Sequence, residues 1–152
     1  MRTDHVNRMN IVLPLDAFDI NHVFYQEQVK NTVMDNSQFV RIVYSDSSLM
    51  LNGIYLQFTL NVILVERSFN KFKCTFNKST SQSAIMALST VEHDLLLKAN
   101  IPAGKIAVHR VSEQLANGFI KVFKGNSDQF VIKIYGIWEN DTEYGLTYKI
   151  ND

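Results

Sequence analysis

Ten residues near the middle of the chain, Phe69-Asn70-Lys71-Phe72-Lys73-Cys74-Thr75-Phe76-Asn77-Lys78, interleave three phenylalanines with three lysines. Phe119-Ile120-Lys121-Val122-Phe123-Lys124 repeats the style, and Lys133, Tyr135, Tyr144, Tyr148 and Lys149 extend it. This mixture suits an unpaired polynucleotide: ammonium groups follow the phosphates, and ring faces stack on bases at about 1–3 kcal/mol per base. Every base has a π-face, so such binding tolerates sequence, and its phosphate contacts make it weaken with salt. The competing reading is ordinary β architecture, in which strand lysines face water and strand aromatics face the core.

Charge adds a second, independent signal. The formal net charge is +0, but residues 1–66 carry four Lys/Arg against seven Asp/Glu, and residues 125–152 two against five. Residues 67–124 carry nine against three, a balance of +6. A basic middle between acidic ends is compatible with an anion-binding face, and the densest Phe/Lys alternation falls in that same third. The neutral total is the best support for a different role, a structural or assembly module without nucleic-acid affinity.

Other chemistry is poorly represented. No phosphate-cradling G-x-x-x-x-G-K-[ST] loop, G-x-G-x-x-G turn or G-x-S-x-G elbow occurs. His5, His22, His93 and His109 are far apart and form no ligand pair of the H-x-x-x-H kind. Glu92-His93-Asp94 would sit on a helix, where neighbours point about 100° apart and do not converge on one ion; it reads as a solvated helix face. Cys74, the single cysteine, reads as a small core residue rather than an activated thiol. Glu139, Asp141 and Glu143 read as a solvated turn rather than a calcium loop. The expectation is a non-enzymatic protein with no cofactor and no metal.

The elements that must position these groups are mostly strands. Residues 39–44 form an apolar run, and residues 54–65 alternate for too long to be one regular strand, which predicts a bend or bulge. In residues 67–76, Phe69, Lys71, Lys73 and Thr75 fall on one side and Asn70, Phe72, Cys74 and Phe76 on the other. The spacing of Ile85, Leu88, Val91 and Leu95 predicts a helix over residues 84–97, ended by Asn100 and Pro102. After it, Gly125-Asn126-Ser127-Asp128 predicts a hairpin joining residues 119–124 to residues 129–135, and a second turn at residues 139–142 leads to a closing strand. Gly136 inside a strand predicts a bulge or a close backbone approach. Residues 16–20 suit a short helix or a docking arm. Two or three strands, a helix and two hairpins describe a small barrel or sandwich. Residues 1–35 read as an N-terminal arm and residues 36–152 as the β domain.

The last 60 or so residues carry a more specific pattern: Gln114-Leu115-Ala116-Asn117-Gly118-Phe119-Ile120-Lys121-Val122, then Gly136-Ile137-Trp138-Glu139 and Tyr144-Gly145-Leu146-Thr147-Tyr148-Lys149. This ending resembles compact OB-fold single-stranded-DNA-binding proteins of large double-stranded DNA viruses. The resemblance implies a mainly β fold, a Greek-key OB-like barrel with one helix between the third and fourth strands. It implies sequence-tolerant binding of single-stranded DNA, in preference to RNA, during viral replication or recombination. Lys71, Lys73, Lys121, Lys124 and Lys133, joined by Arg41 and Arg67, are then the expected phosphate contacts. Tyr55, Phe69, Tyr135 and Trp138 are the expected stacking platforms, although Trp138, a lone tryptophan next to a turn, suits a core plug better than a platform.

The chain has 152 residues, 46 % of them hydrophobic, which argues against disorder throughout. No apolar run approaches the ~20 residues of a membrane helix, and MRTDHVNRMN lacks a signal peptide's apolar segment. One cysteine suits a reducing compartment. The expected setting is intracellular, in the host nucleus or at a cytoplasmic replication site, with no membrane partner and with a homo-oligomer left open.

Overall fold

The computed structural model describes residues 11–30, 37–47 and 50–152. The remainder of the expected N-terminal arm, residues 1–10 and 31–35, lies outside them. The fold is mainly β. β1 (Leu13–Pro14) and two 3₁₀ turns precede β2 (Val23–Lys30), β3 (Gln38–Ser45), β4 (Met50–Asn52), β5 (Ile54–Thr59), β6 (Val62–Ser68) and β7 (Lys71–Phe76). Helix α1 (Gln82–Lys98) follows, then β8 (Ile106–Val108), a short helix α2 (Arg110–Ala116), β9 (Phe119–Val122), β10 (Gln129–Glu139) and β11 (Glu143–Asn151).

The strands form two sheets. In the larger, β10 is the spine: its first half pairs with β5, its second half with β3, and β11 runs antiparallel along its other edge. β2 and β4 flank β3, β1 borders β5, and β8 adds a short parallel pairing to β11. The smaller sheet has the order β6-β7-β9. Residues 54–65 do contain the expected break. The strand ends at Thr59, Leu60 and Asn61 turn the chain, and β6 enters the other sheet. Two non-local bonds hold that corner: Leu60 N donates to the Asp128 carbonyl at 3.0 Å, and Asn61 N to Ser81 Oγ at 2.9 Å.

The core lies between the two sheets and α1. Alternation along the strands places Ile54, Leu56, Phe58, Phe130, Ile132 and Ile134 inside, facing Cys74, Phe76, Ile120 and Val122 of the smaller sheet. α1 adds Leu88, Val91, Leu95 and Leu96, and Tyr25 Oη donates to the Leu95 carbonyl. Residues 11–30 join this body: β2 is a strand of the larger sheet, and Val23 is fully buried.

Gly136 meets both sequence expectations at once. The β10–β11 register shifts between Ile134 and Gly136, and a Cβ at Gly136 would stand 2.2 Å from the Val40 carbonyl oxygen. No side chain larger than hydrogen fits that approach.

Cys74 is 0 % exposed, and burial pushes its thiol up, with Asp152 and Asp128 adding in the same direction. A thiol-reactive dye will therefore label native protein only as it unfolds and label denatured protein at once. Prompt labelling of the native chain would contradict this packing.

Three expectations need correction. Residues 119–124 and 129–135 are not a hairpin: β9 pairs with β7 and β10 with β5, so the turn at residues 125–128 carries the chain from one sheet to the other. The helix over residues 84–97 is present, but it follows the seventh strand, and a second helix, α2, follows it. The sheets are also not closed into a barrel. β9 lies beside β11 without a hydrogen-bonded ladder between them, and that seam leaves an opening in the wall.

Candidate nucleic-acid interface

The seam is a trough of about 650 Å³, bounded by β9, α2 and the C-terminal half of β11. Each wall follows from local structure. β9 is an edge strand, and β11 is covered by β8 only over Glu143–Gly145. α2 bridges the top. His109, at its N-cap, offers no side-chain acceptor. Buried Glu92 of α1 supplies the cap instead, accepting from Val111 N at 2.8 Å, Ser112 N at 2.9 Å and Ser112 Oγ at 2.7 Å. Glu92 is therefore not on a solvated helix face, as its place in Glu92-His93-Asp94 suggested; its carboxylate is committed to α2. Tyr148 Oη of β11 donates to Gln114 Oε1 at 2.6 Å, tying the other end of α2 to the sheet.

Four cations line the trough: Lys71, Arg110, Lys121 and Lys149. Four rings do so as well: Phe119, Phe123, Trp138 and Tyr148. No aspartate or glutamate is among its lining residues. With no carboxylate among the lining residues, the four cations suit this trough to an anion.

Rings and cations are already paired. The Lys71 Nζ stands 5.2 Å from the Phe123 ring centre, the Lys73 Nζ 4.4 Å from that of Phe119, and the Arg110 guanidinium 4.6 Å over Trp138. Such contacts are worth ~0.5–1 kcal/mol at exposed sites, little enough to be exchanged for a phosphate on the cation and a base on the ring. Register reinforces the point. Lys73 and Lys121 are directly opposite on β7 and β9, a like-charge pair that costs stability. Glu66 lies across from Lys73 on its other side without reaching ion-pair distance.

Trp138 is 2 % exposed, and its indole Nε1–H finds no acceptor in the protein. A buried donor without a partner costs about 1–3 kcal/mol, and this one belongs to a residue of the trough wall. Gly145 lies beneath the ring, where a Cβ would come within 3.0 Å of it.

The sequence-predicted residues divide by location. Lys71, Lys73 and Lys121 share the outer face of the smaller sheet, and Lys71 and Lys121 line the trough, whereas Lys73 does not. Trp138 is in the trough wall but buried, the place of a core plug rather than of an open stacking platform. Tyr55 and Lys133 are cross-strand partners on the larger sheet, with Arg41 opposite Gly136 on the neighbouring strand. Arg67 stacks 5.6 Å over Phe72. Phe69 occupies the β6–β7 turn with φ 58° and is 93 % exposed. Lys124 and Tyr135 do not line the trough. Sequence reasoning passed over Arg110 and Gln114, because α2 was not recognised. Phe119, Phe123, Tyr148 and Lys149 stood in the aromatic–lysine segments without being singled out as contacts. Among the described residues, no three His, Cys, Asp or Glu side chains cluster as metal ligands would, and no helix is long and apolar enough to cross a membrane.

Burial pushes the Tyr148 phenol up to about 12, and the Glu92 carboxylate adds to the effect. An unfolded phenol loses its proton near pH 10. Between pH 10 and 12 the unfolded chain alone is ionised, so the stability gained by burying the neutral phenol is complete below pH 10 and is lost as pH rises through 12. Urea midpoints at pH 9 and 11.5 will fall less in Tyr148→Phe than in the wild type. Equal falls in both would contradict the assignment.

No protein-family model matches this chain, and neither a curated protein nor a solved structure does. The functional reading rests on the trough and on the residues that build it.

Proposed function

We propose that this protein is a non-enzymatic, sequence-tolerant binder of single-stranded nucleic acid, with DNA as its ligand and viral replication or recombination as its setting. One observation carries the reading: a trough lined by four cations and four rings and by no carboxylate. The cations fit a phosphate backbone, and the rings are useful only to bases whose faces are free, which favours a single strand over duplex. The resemblance of the C-terminal segments to OB-fold single-stranded-DNA-binding proteins supports the same reading. Titration with oligo(dT) tests it: Trp138 emission should change saturably as the strand displaces Arg110 from the indole. Unchanged emission, together with no binding at low salt, would refute it.

A second reading, an assembly module, is favoured by a different observation. β6 is an edge strand carrying exposed Ile63, Leu64 and Val65, and unpaired apolar edges pair with other chains. A dimer by light scattering that Leu64→Lys dissolves, with no oligonucleotide affinity, would support that reading over the first.

A further inference from the structure

We infer that a strand seated in the trough leaves it over Lys149 and crosses the outer face of the larger sheet, where Tyr55 and Lys133 form a second contact site; this rests on the proposed function. Register places the three residues in one row. Lys133 of β10 is directly opposite Tyr55 of β5 on one side and Lys149 of β11 on the other. Directly opposite residues project to the same face, and the intervening Ile54, Ile134 and Ile150 are buried on the other. With strands about 4.8 Å apart, the row spans roughly 10 Å.

The chemistry of the row matches that of the trough. Lys133 and Lys149 are a second like-charge pair placed directly opposite, at a cost to the sheet. The flanking rows supply no carboxylate: Gln57, Val131 and Asn151 on one side, Arg41, Gly136 and Thr147 on the other. Two uncompensated ammonium groups on one face ask for a polyanion. Tyr55 adds a half-buried ring with the Lys133 Nζ 5.6 Å from its centre, the same cation-over-ring arrangement as Lys71 with Phe123. Lys149 belongs both to this row and to the trough wall, so the two sites are continuous.

The test compares labelled dT strands of about 6 and about 16 nucleotides, near the lower and upper ends of known single-domain sites, by fluorescence anisotropy. The double variant Tyr55→Ala/Lys133→Glu should bind the short strand as the wild type does. It should bind the long strand at least about tenfold more weakly, with a shallower salt dependence. Lys133→Gln alone should show a smaller loss with the same dependence on length, at a melting temperature no lower than that of the wild type, since it removes the like-charge pair with Lys149. If the double variant binds the long strand normally, or loses both lengths equally, the second site is refuted. If Lys71→Glu/Lys121→Glu binds the short strand as the wild type does, the trough reading itself fails, and the path with it.

Discussion

Lys71→Glu/Lys121→Glu should lower affinity for a short single strand about a thousandfold while leaving the protein folded. Both lysines line the trough. A unit charge about 4 Å from a phosphate contributes ~1 kcal/mol even in bulk water, so each reversal replaces that attraction with an equal repulsion. Two reversals cost about 4 kcal/mol, close to three decades in Kd. The register supplies a control against misfolding. Lys121 is directly opposite Lys73, so Lys121→Glu converts a like-charge cross-strand pair into an opposite-charge one. That exchange contributes a few tenths to about 1 kcal/mol of stability. Lys121→Glu alone should therefore bind more weakly and melt higher. A variant that binds as the wild type does would remove these lysines from the interface, and one that melts lower would contradict the charge cost assigned to the Lys73–Lys121 pair.

Glu92→Ala should destabilise the fold by about 3 kcal/mol. Glu92 is 1 % exposed and accepts three hydrogen bonds from Val111 and Ser112. Removing it leaves the Val111 and Ser112 N–H groups without their acceptor, at about 1–3 kcal/mol each where no water replaces it, while the Ser112 hydroxyl keeps Ser89 Oγ at 3.1 Å. For a chain of this size, 1 kcal/mol moves the melting temperature by roughly 2–4 °C, so the expected fall is around 10 °C. Function should suffer as well, because α2 holds Arg110 and Gln114 at the trough. Glu92 also helps to raise the Tyr148 phenol, so the variant should let that phenol titrate lower in an absorbance titration. A melting temperature within a degree or two of wild type would show that α2 does not depend on this carboxylate.

Elements with strong local periodicity were readable in the sequence. α1 shows its buried stripe at three- and four-residue spacing, and the bulge at Gly136 shows itself as a glycine in a strand that carries side chains on both flanks. The β10–β11 hairpin follows from its turn. α2 was not readable: seven residues offer only Val111 and Leu115 as an apolar spacing, and the acceptor for its first N–H groups is Glu92, nineteen and twenty positions away. The same distance explains the misreading of Glu92, since a glutamate between exposed-looking neighbours gives no local sign that another helix needs its carboxylate. The turn at residues 125–128 marks a reversal but not its destination. β9 and β10 separate because their partners, β7 and β5, lie far back in the sequence. The binding residues were half legible. Alternation placed Lys71 and Lys73 on one side of their strand, but Lys121 joins them only through the pairing of β9 with β7, and their meeting with Arg110, Tyr148 and Lys149 depends on β11 returning beside β9, a contact set by the whole topology.

The central claim is that an unpaired polynucleotide occupies the seam between β9 and β11. A salt titration of affinity for a dT strand of about six nucleotides, set beside a duplex of equal length, tests it most directly. Four phosphate contacts, one for each of Lys71, Arg110, Lys121 and Lys149, predict a slope of log K against log salt of about −3 for single strands, with the duplex bound much more weakly. A flat slope, no saturable binding in low salt, or equal affinity for the duplex would contradict the claim.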